Sequence, residues 1–452
     1  MGFSTKEVPP IGADAAVAVG DVRNSDKLLM LGATIGRMGG NLLTFVILAR
    51  YLGPASFGVI ATAITYTSFA ALVADFGFAV SALRRAGAVP ERAGTFVSEA
   101  LLAKALLTVA ITVVGATVLW LMVPTDHRAV FALTHVGAVA FSFAEMMLVV
   151  PRAIRRYDVE ARVVAISSTA MLILVGSLVA LTRDVTTAAA AFAGGRVLYL
   201  LLVYGALRRW LPPWRDVVRG WGAMVRTLRS SASYAADSIL TTFSGQADIL
   251  LFAAVLSAHD IGVYQAGARL VQAIMPFAVV MASVYLPPLA AAMARQDGSA
   301  FRRNASRLNL EFAGLALTCL LGFTLLGPFV TKLLYGVAYQ SLVPLWNGFA
   351  LYAALRLLAA GFGIQLAARG QIAIRILGQL TSIAVLAISA TLALDRLGLP
   401  ATSWMLAASS LPLALLFGGA VWRSDPRDRT ALLALAAIIL LAVLLIGWEF
   451  IG

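Results

Sequence analysis

Long uninterrupted apolar stretches dominate this chain, and each is about as long as a helix must be to cross a bilayer. With a window of about 19 residues they fall near 29–51, 57–82, 98–122, 130–150, 162–182, 187–207, 232–256, 261–287, 308–332, 345–368, 371–393, 401–422 and 430–450. Only 13% of the 452 residues are charged, against about 25% in an ordinary soluble domain, and the mean hydropathy is +0.88. Hydrocarbon satisfies no backbone polar group, so a spanning segment must be a helix or a strand of a closed barrel. Barrel strands run to about ten residues of alternating polarity, whereas these stretches are longer and rich in Ala and Leu. The expected fold is an all-α polytopic membrane protein with about thirteen transmembrane helices, within a range of twelve to fourteen.

A formal charge of +13 could point to nucleic acid, but the positions of the basic residues exclude that reading. Twenty-four of them fall in one set of alternating loops and only five in the other. By the positive-inside rule this places the amino terminus in the cytoplasm. Residues 1–27 form a polar tail without the basic, apolar and small-residue order of a cleavable signal. Cys319 is alone and His127, His135 and His259 are scattered, so no disulfide framework, cysteine redox pair or metal site is expected. Trp120, Trp346, Trp404 and Trp448 fall at expected outer ends and Trp422 at an inner end, the pattern of an aromatic belt.

The longest loop is cytoplasmic. Within 209–230, Trp214, Val218, Trp221, Val225 and Leu228 recur at three- and four-residue spacing beside a stripe of arginines. Such a segment is expected to lie in the inner-leaflet interface, held by apolar burial and anionic lipid, and to tether two halves of the protein. An internal echo marks those halves. Leu52-Gly53-Pro54-Ala55-Ser56-Phe57-Gly58-Val59 is matched 204 residues later by Leu256-Ser257-Ala258-His259-Asp260-Ile261-Gly262-Val263. Two such turns at equivalent points imply a duplication, as in many secondary transporters. The expected organisation is a tail at 1–27, a six-helix lobe at 28–208, the linker at 209–230, a second pseudo-symmetric six-helix lobe at 231–422 and a further helix within 423–452.

The segment from Arg50 to Gly58, continuing through Ala74-Asp75-Phe76-Gly77-Phe78, resembles the first hairpin of polysaccharide-export flippases. These form a branch of the MOP superfamily, which also contains lipid II flippases and MATE drug exporters. Asp248-Ile249-Leu250-Leu251 with Gly262-Val263-Tyr264, Leu334-Tyr335-Gly336 with Tyr339, and Ala368-Arg369-Gly370-Gln371 resemble further parts of that family. The resemblance implies an inner-membrane flippase that moves an undecaprenyl-diphosphate-linked oligosaccharide by alternating access. Its partners would be the lipid-linked glycan, membrane lipid and the polysaccharide polymerase or assembly machinery. It also implies a twelve- or fourteen-helix fold, and the stretch 397–401 lacks the Gly-rich pattern often found before helix twelve. A MATE-like exporter of organic cations would favour acidic and aromatic cleft residues, whereas this chain places arginines in its spans. A glycan polymerase or ligase would need a substantial outer loop, and neither a nucleotide loop nor a nucleophilic triad is visible.

The arginines are Arg37, Arg196, Arg269 and Arg356, each well inside an apolar stretch. A central arginine costs roughly 2.5 to 3.5 kcal/mol, so each needs a compensating partner. Arg37 lies on a polar stripe with Thr34, Asn41 and Thr44, and Arg269 on one with Gln265 and Gln272, followed by Pro276. A guanidinium fork binds two phosphate oxygens and stays charged, which makes a diphosphate a fitting partner. Arg356 follows Tyr352 by one turn and ranks next. Arg196 has no comparable stripe, and pairing with a carboxylate or snorkelling competes with ligand contact there. Among the acids, Asp75, Glu145, Asp237 and Asp248 either pair with intramembrane arginines or bind a coupling proton or sodium ion. Asp237 and Asp248 share a stripe with Tyr234, Thr241 and Ser244. No other cofactor is expected. Gly32, Gly36 and Gly40 form a ladder that permits either close helix packing or bending.

Overall fold

The computed structural model describes residues 24–154, 156–212 and 245–426, together with 227–229, 231, 235, 243, 430, 433 and 436. The tail before residue 24, most of the linker, most of the first half of the seventh expected span and most of the carboxy-terminal helix lie outside the described residues. The protein is a multi-pass membrane protein of helices, ten of which are long and apolar enough to cross a bilayer among the described residues.

The first of these, α1 (Asn24–Asp75), contains the first expected span and most of the second, whose last residues fall in the next helix. It breaks at Gly53, whose φ of 72° lies in the left-handed region that a residue with a Cβ avoids. Pro54 reinforces the break, because it disfavours the helical conformation in the residue before it and readily opens the next helical arm. There follow α2 (Phe78–Ala88), α3 (Ala93–Met122), α4 (Thr125–Met147), the short α5 (Val149–Ala153), α6 (Tyr157–Thr182) and α7 (Val185–Leu207). The carboxy-terminal half holds α8 (Ala258–Gln272), α9 (Met275–Ala294), α10 (Gly298–Leu334), α11 (Trp346–Ala368), α12 (Ile372–Leu397) and α13 (Leu399–Ser424).

Helix α10 begins ten residues before the apolar stretch expected at 308. Its start is fixed by Asp297, whose Oδ1 accepts from the amides of Ser299 (3.1 Å) and Ala300 (2.9 Å) and from the Ser299 hydroxyl (2.8 Å). The Ala300 amide and the Ser299 hydroxyl hold the Asp297 carboxyl below the usual carboxylate range. The single helix expected over 261–287 is instead two. Helix α8 ends at Gln272, and Pro276 falls in the first turn of α9, so it does not continue the Gln265–Arg269–Gln272 stripe.

In the first half α1 packs against α4 and α6, and α7 packs against α4 and α6. In the second half α11 is the central helix, flanked by α10 and α13. Trp346 belongs to this core and not to an aromatic belt. It is 1% exposed, stacks on Phe323 and donates its indole N–H to Thr331 Oγ1 at 2.8 Å. By contrast α3 shows an almost continuous apolar exterior, with Val109, Val113, Val114 and Leu121 all exposed, as a lipid-facing helix should.

The halves meet at one end. There Phe45, Phe57, Ile60, Ile261, Tyr264 and Phe349 share one apolar core. Gly58 and Gly262, the counterparts in the sequence echo, face each other there. A Cβ on Gly58 would lie 1.7 Å from the Ala258 carbonyl oxygen, and one on Gly262 would lie 1.9 Å from that of Pro54. Arg50 Nη1 donates to the Leu333 carbonyl (2.6 Å), and the Tyr339 hydroxyl to that of Ala49 (2.9 Å). At the opposite end, a second core of Phe78, Val97, Leu148, Tyr199 and Leu207 belongs to the first half alone.

Candidate functional site

One side of α1 organises the charged interior. Arg37, Asn41 and Phe45 recur at four-residue spacing, so they rise along one side of the helix in steps of roughly 6 Å. Arg37 Nη1 donates to both Glu145 oxygens at 2.6 Å, and its Nη2 donates to Glu160 Oε1 at 2.8 Å. Arg152 donates to the same two acids, to Glu160 Oε1 at 2.7 Å and Oε2 at 3.0 Å and to Glu145 Oε2 at 3.3 Å. The Tyr199 hydroxyl completes Glu145 at 2.7 Å. Two arginines and two glutamates therefore form a neutral cluster, and such a cluster persists in a low-dielectric interior because every charge in it is answered.

One step along α1, Arg196 reaches in from α7. Its Nη2 donates to Asn41 Oδ1 at 3.3 Å, and its guanidinium lies 3.8 Å from the Phe141 ring centre and 5.1 Å from that of Phe192. No carboxylate pairs with it among the described residues. The next step is occupied by Arg269 from α8, with its guanidinium 4.2 Å from the centre of the Phe45 ring and its Nε buried without a hydrogen-bond partner. Cation–π contact contributes about 0.5–2 kcal/mol, enough to seat a guanidinium but not to neutralise it. Arg37, Arg196 and Arg269 thus form a ladder on one side of α1, and among the described residues only the first is hydrogen-bonded to carboxylates, Glu145 and Asp248 acting on the other two through charge alone.

A cavity of about 30 Å³ opens beside the first two rungs, lined by Arg37, Asn41, Ser167, Ser168, Arg196 and Tyr199 among others. That is room for about two waters, far less than a diphosphate-sugar needs, so this conformation is closed around its arginines. Gly40 is the only member of the Gly32–Gly36–Gly40 ladder that meets a neighbour. Its Cβ would stand 3.1 Å from Ser168 Cβ, while Gly32 and Gly36 face open space.

The remaining residues gather elsewhere. Asp248 is 6% exposed, accepts from the Tyr264 hydroxyl and lines a cavity of about 10 Å³ with Tyr352, Arg356, Ser382, Ser409 and Ser410. The Ser410 hydroxyl is buried without a partner. Among the described residues, no hydrogen bond or ion pair joins this group to the cluster around Arg37. Gln265 is fully buried with both amide atoms unpartnered, and Gln272 is the last residue of α8. Asp237, with Tyr234, Thr241, Ser244 and the side chain of Thr34, lies outside the described residues.

Three charged residues were missed by reading the sequence. Lys104 is fully buried in α3, donating to Asp75 Oδ1 at 2.5 Å and to the Ser142 carbonyl at 2.8 Å. Asp75 therefore pairs with a lysine and not with an intramembrane arginine. Lys104 lies inside the third apolar stretch, so the signal that singled out the arginines marked it too. Arg152 and Glu160 gave no such signal, because they flank a loop and read as topology charges until the fold turned them inward.

The sequence profile of the family described as polysaccharide biosynthesis protein matches residues 26–293, more than half of the chain. No curated protein matches it by sequence. Among solved structures, a lipid II flippase, MurJ, in an inward closed conformation superposes with a TM-score of 0.65 at 12% identity, covering 94% of this chain and 100% of that one. An inward-facing multidrug resistance MATE transporter of the MOP superfamily gives 0.63 at 16% identity, over 91% and 98% of the two chains. Its outward-facing counterpart gives 0.60 at 15%, over 93% and 97%. The fold of the chain is therefore that of MATE and MurJ transporters.

Proposed function

Because this chain belongs to the polysaccharide biosynthesis protein family, we propose that it is a flippase for an undecaprenyl-diphosphate-linked oligosaccharide. It would carry a repeat unit of O-antigen, capsule or exopolysaccharide from the cytoplasmic to the outer leaflet of the bacterial inner membrane. The observation that carries this reading is the arginine ladder. Three guanidinium groups stand at successive turns along α1, and two of them face aromatic rings and an amide in place of carboxylates. A diphosphate would supply the hydrogen-bonded anion that neither has among the described residues, and planar forks bind it in two-oxygen contacts. Arg196 and Arg269 lead on this account. Arg37 is held by Glu145 and Glu160 and positions the start of the ladder, while Arg356 serves the second half.

In this assignment the end carrying Gly58 and Gly262 faces outward and the amino terminus is cytoplasmic, as the charge asymmetry of the loops requires. Closure at the glycine end with separate cores at the other would, in this assignment, leave the parting of the halves on the cytoplasmic side, with the space beside the arginines closed down to about 30 Å³. The two halves would part at the glycines and close at the cytoplasmic end to release the glycan outside. Asp248 is the carboxylate placed to take up a coupling proton or sodium ion, beside the hydroxyls of Ser382, Ser409 and Ser410. The MOP-superfamily fold also hosts multidrug export, but cleft arginines repel an organic cation. Deletion of the gene tests the choice: completed lipid-linked repeat units should accumulate on the cytoplasmic leaflet. Normal surface glycan combined with altered drug sensitivity would instead identify an exporter.

A further inference from the structure

A second set of arginines lies away from the ladder, on the outside of the first half. The start of α6 and the end of α7 enclose a groove of about 460 Å³ lined by Arg156, Arg162, Arg208 and Arg209. Asp158 accepts from Arg156 (Nε, 2.8 Å; Nη2, 3.1 Å) and from Arg162, which turns both guanidinium groups toward one place. Four cations and one anion leave three positive charges in excess. Trp210 follows Arg209, its ring centre 4.2 Å from that guanidinium, and tryptophan is the residue that most often anchors a protein at a membrane interface.

The groove floor is apolar. Val159 and Val163 on α6 face Gly205 and Ala206 on α7, and nothing lies within 4 Å of where a Gly205 Cβ would stand. Beyond the arginines the same faces of the two helices continue as exposed apolar surface. Ile166 and Ile173 follow Arg162 at helical spacing and are 57% and 66% exposed, and Tyr204 and Leu201 precede Arg208 at 44% and 60%. A basic head and an apolar runway of this kind match a molecule with an anionic head and hydrocarbon tails.

We propose that this groove is a binding site for an anionic phospholipid of the surrounding bilayer, its phosphodiester held by Arg162 and Arg208 and an acyl chain lying over Gly205. The groove is separate from the ladder, because it shares no lining residue with the cavity beside Arg37 and Arg196. Arginine forks hold the phosphodiester in two-oxygen contacts, and the charge excess selects an anionic head over a zwitterionic one. A lipid seated there would bridge α6 to α7 and brace the helices behind Glu160 and Arg196.

Native mass spectrometry of the full chain, released from micelles doped with phosphatidylglycerol or phosphatidylcholine, tests this. Phosphatidylglycerol should be retained and phosphatidylcholine lost. The double variant Arg162→Ala/Arg208→Ala should weaken retention about 30-fold, two arginine contributions multiplied. Gly205→Leu places a side chain on the floor, where its Cβ meets none of the described residues, and should displace the lipid while leaving all four arginines in place. Equal retention of both phospholipids, or unchanged retention in both variants, overturns the proposal. So does displacement by inorganic phosphate alone, which would mark a soluble-anion site. Retention in this groove of a polyprenyl diphosphate but not of phosphatidylglycerol would assign it to the substrate instead.

Discussion

Gly58 and Gly262 stand in reciprocal contact. The Gly262 nitrogen is 2.9 Å from where a Gly58 Cβ would be, and the Gly58 nitrogen is 3.0 Å from where a Gly262 Cβ would be. Each glycine also faces the carbonyl four residues before its partner, Ala258 in one case and Pro54 in the other. The contact is thus reciprocal at this point, each echoed glycine lying against the other's backbone across an offset of 204 residues. Backbone this close leaves no space for a methyl group on either side.

Gly58→Ala or Gly262→Ala should consequently force the halves apart at this end. Cysteines placed at positions 50 and 333, which the guanidinium arm of Arg50 spans to reach the Leu333 carbonyl at 2.6 Å, should be bridged by a bifunctional maleimide of that arm's length in the parent protein and lose most of that cross-linking in either variant. Gly53→Ala serves as a control. It strains a positive φ by roughly 1–2 kcal/mol but meets no neighbour, so cross-linking should persist.

The neutral cluster predicts a non-additive mutant cycle. Arg37→Ala leaves Glu145 and Glu160 with Arg152 alone, and removing one partner of a buried pair costs about 3–5 kcal/mol, less here because both side chains retain some exposure. Glu145→Gln in the same chain should restore much of the thermal stability. Additive losses in the two single variants would show that the pair is not coupled.

Lys104→Met should destabilise the protein by stranding Asp75, whereas Lys104→Met with Asp75→Asn should recover much of the loss. Melting temperatures of the three variants decide the point. No recovery in the double variant would mean that the lysine is kept for something other than this pairing.

Asp297 gives a pH dependence whose sign follows from its depressed titration. A carboxyl held below its unfolded value stabilises the helix start above that value and loses the contribution as pH falls through the folded one. Protection of the Ser299 and Ala300 amides, taken against the exchange rate of an unstructured chain at each pH, should fall in that acidic window in the parent protein. In Asp297→Ala that protection should already be low near neutrality and show no such step.

Much of the fold was legible because hydrocarbon permits so few solutions: apolar length gave the helices and Gly53-Pro54 the first break. The site was only partly legible. Helical spacing aligned Arg37 with Asn41 on α1, but Arg196 carried no polar stripe of its own because Asn41 and Phe141 come from other stretches of chain and Phe192, one turn before it on α7, is apolar. Trp346 misled for the same reason. Its place near a helix end reads as interfacial, and only packing against Phe323 and Thr331 reveals it as core. Pairing between helices, which periodicity along one helix cannot report, decided each of these cases.

The central claim concerns what the arginine ladder binds, and the direct measurement is flipping of a fluorescent undecaprenyl-diphosphate-linked oligosaccharide in proteoliposomes containing the purified protein. The parent protein should move it between leaflets. Arg196→Ala and Arg269→Ala should each slow the initial rate about 10- to 100-fold, the worth of a charge-assisted hydrogen bond to phosphate, with the lysine variants intermediate and melting temperatures little changed. Parent-like rates in both alanine variants, or a parent protein that moves organic cations and leaves the lipid in place, would contradict the account.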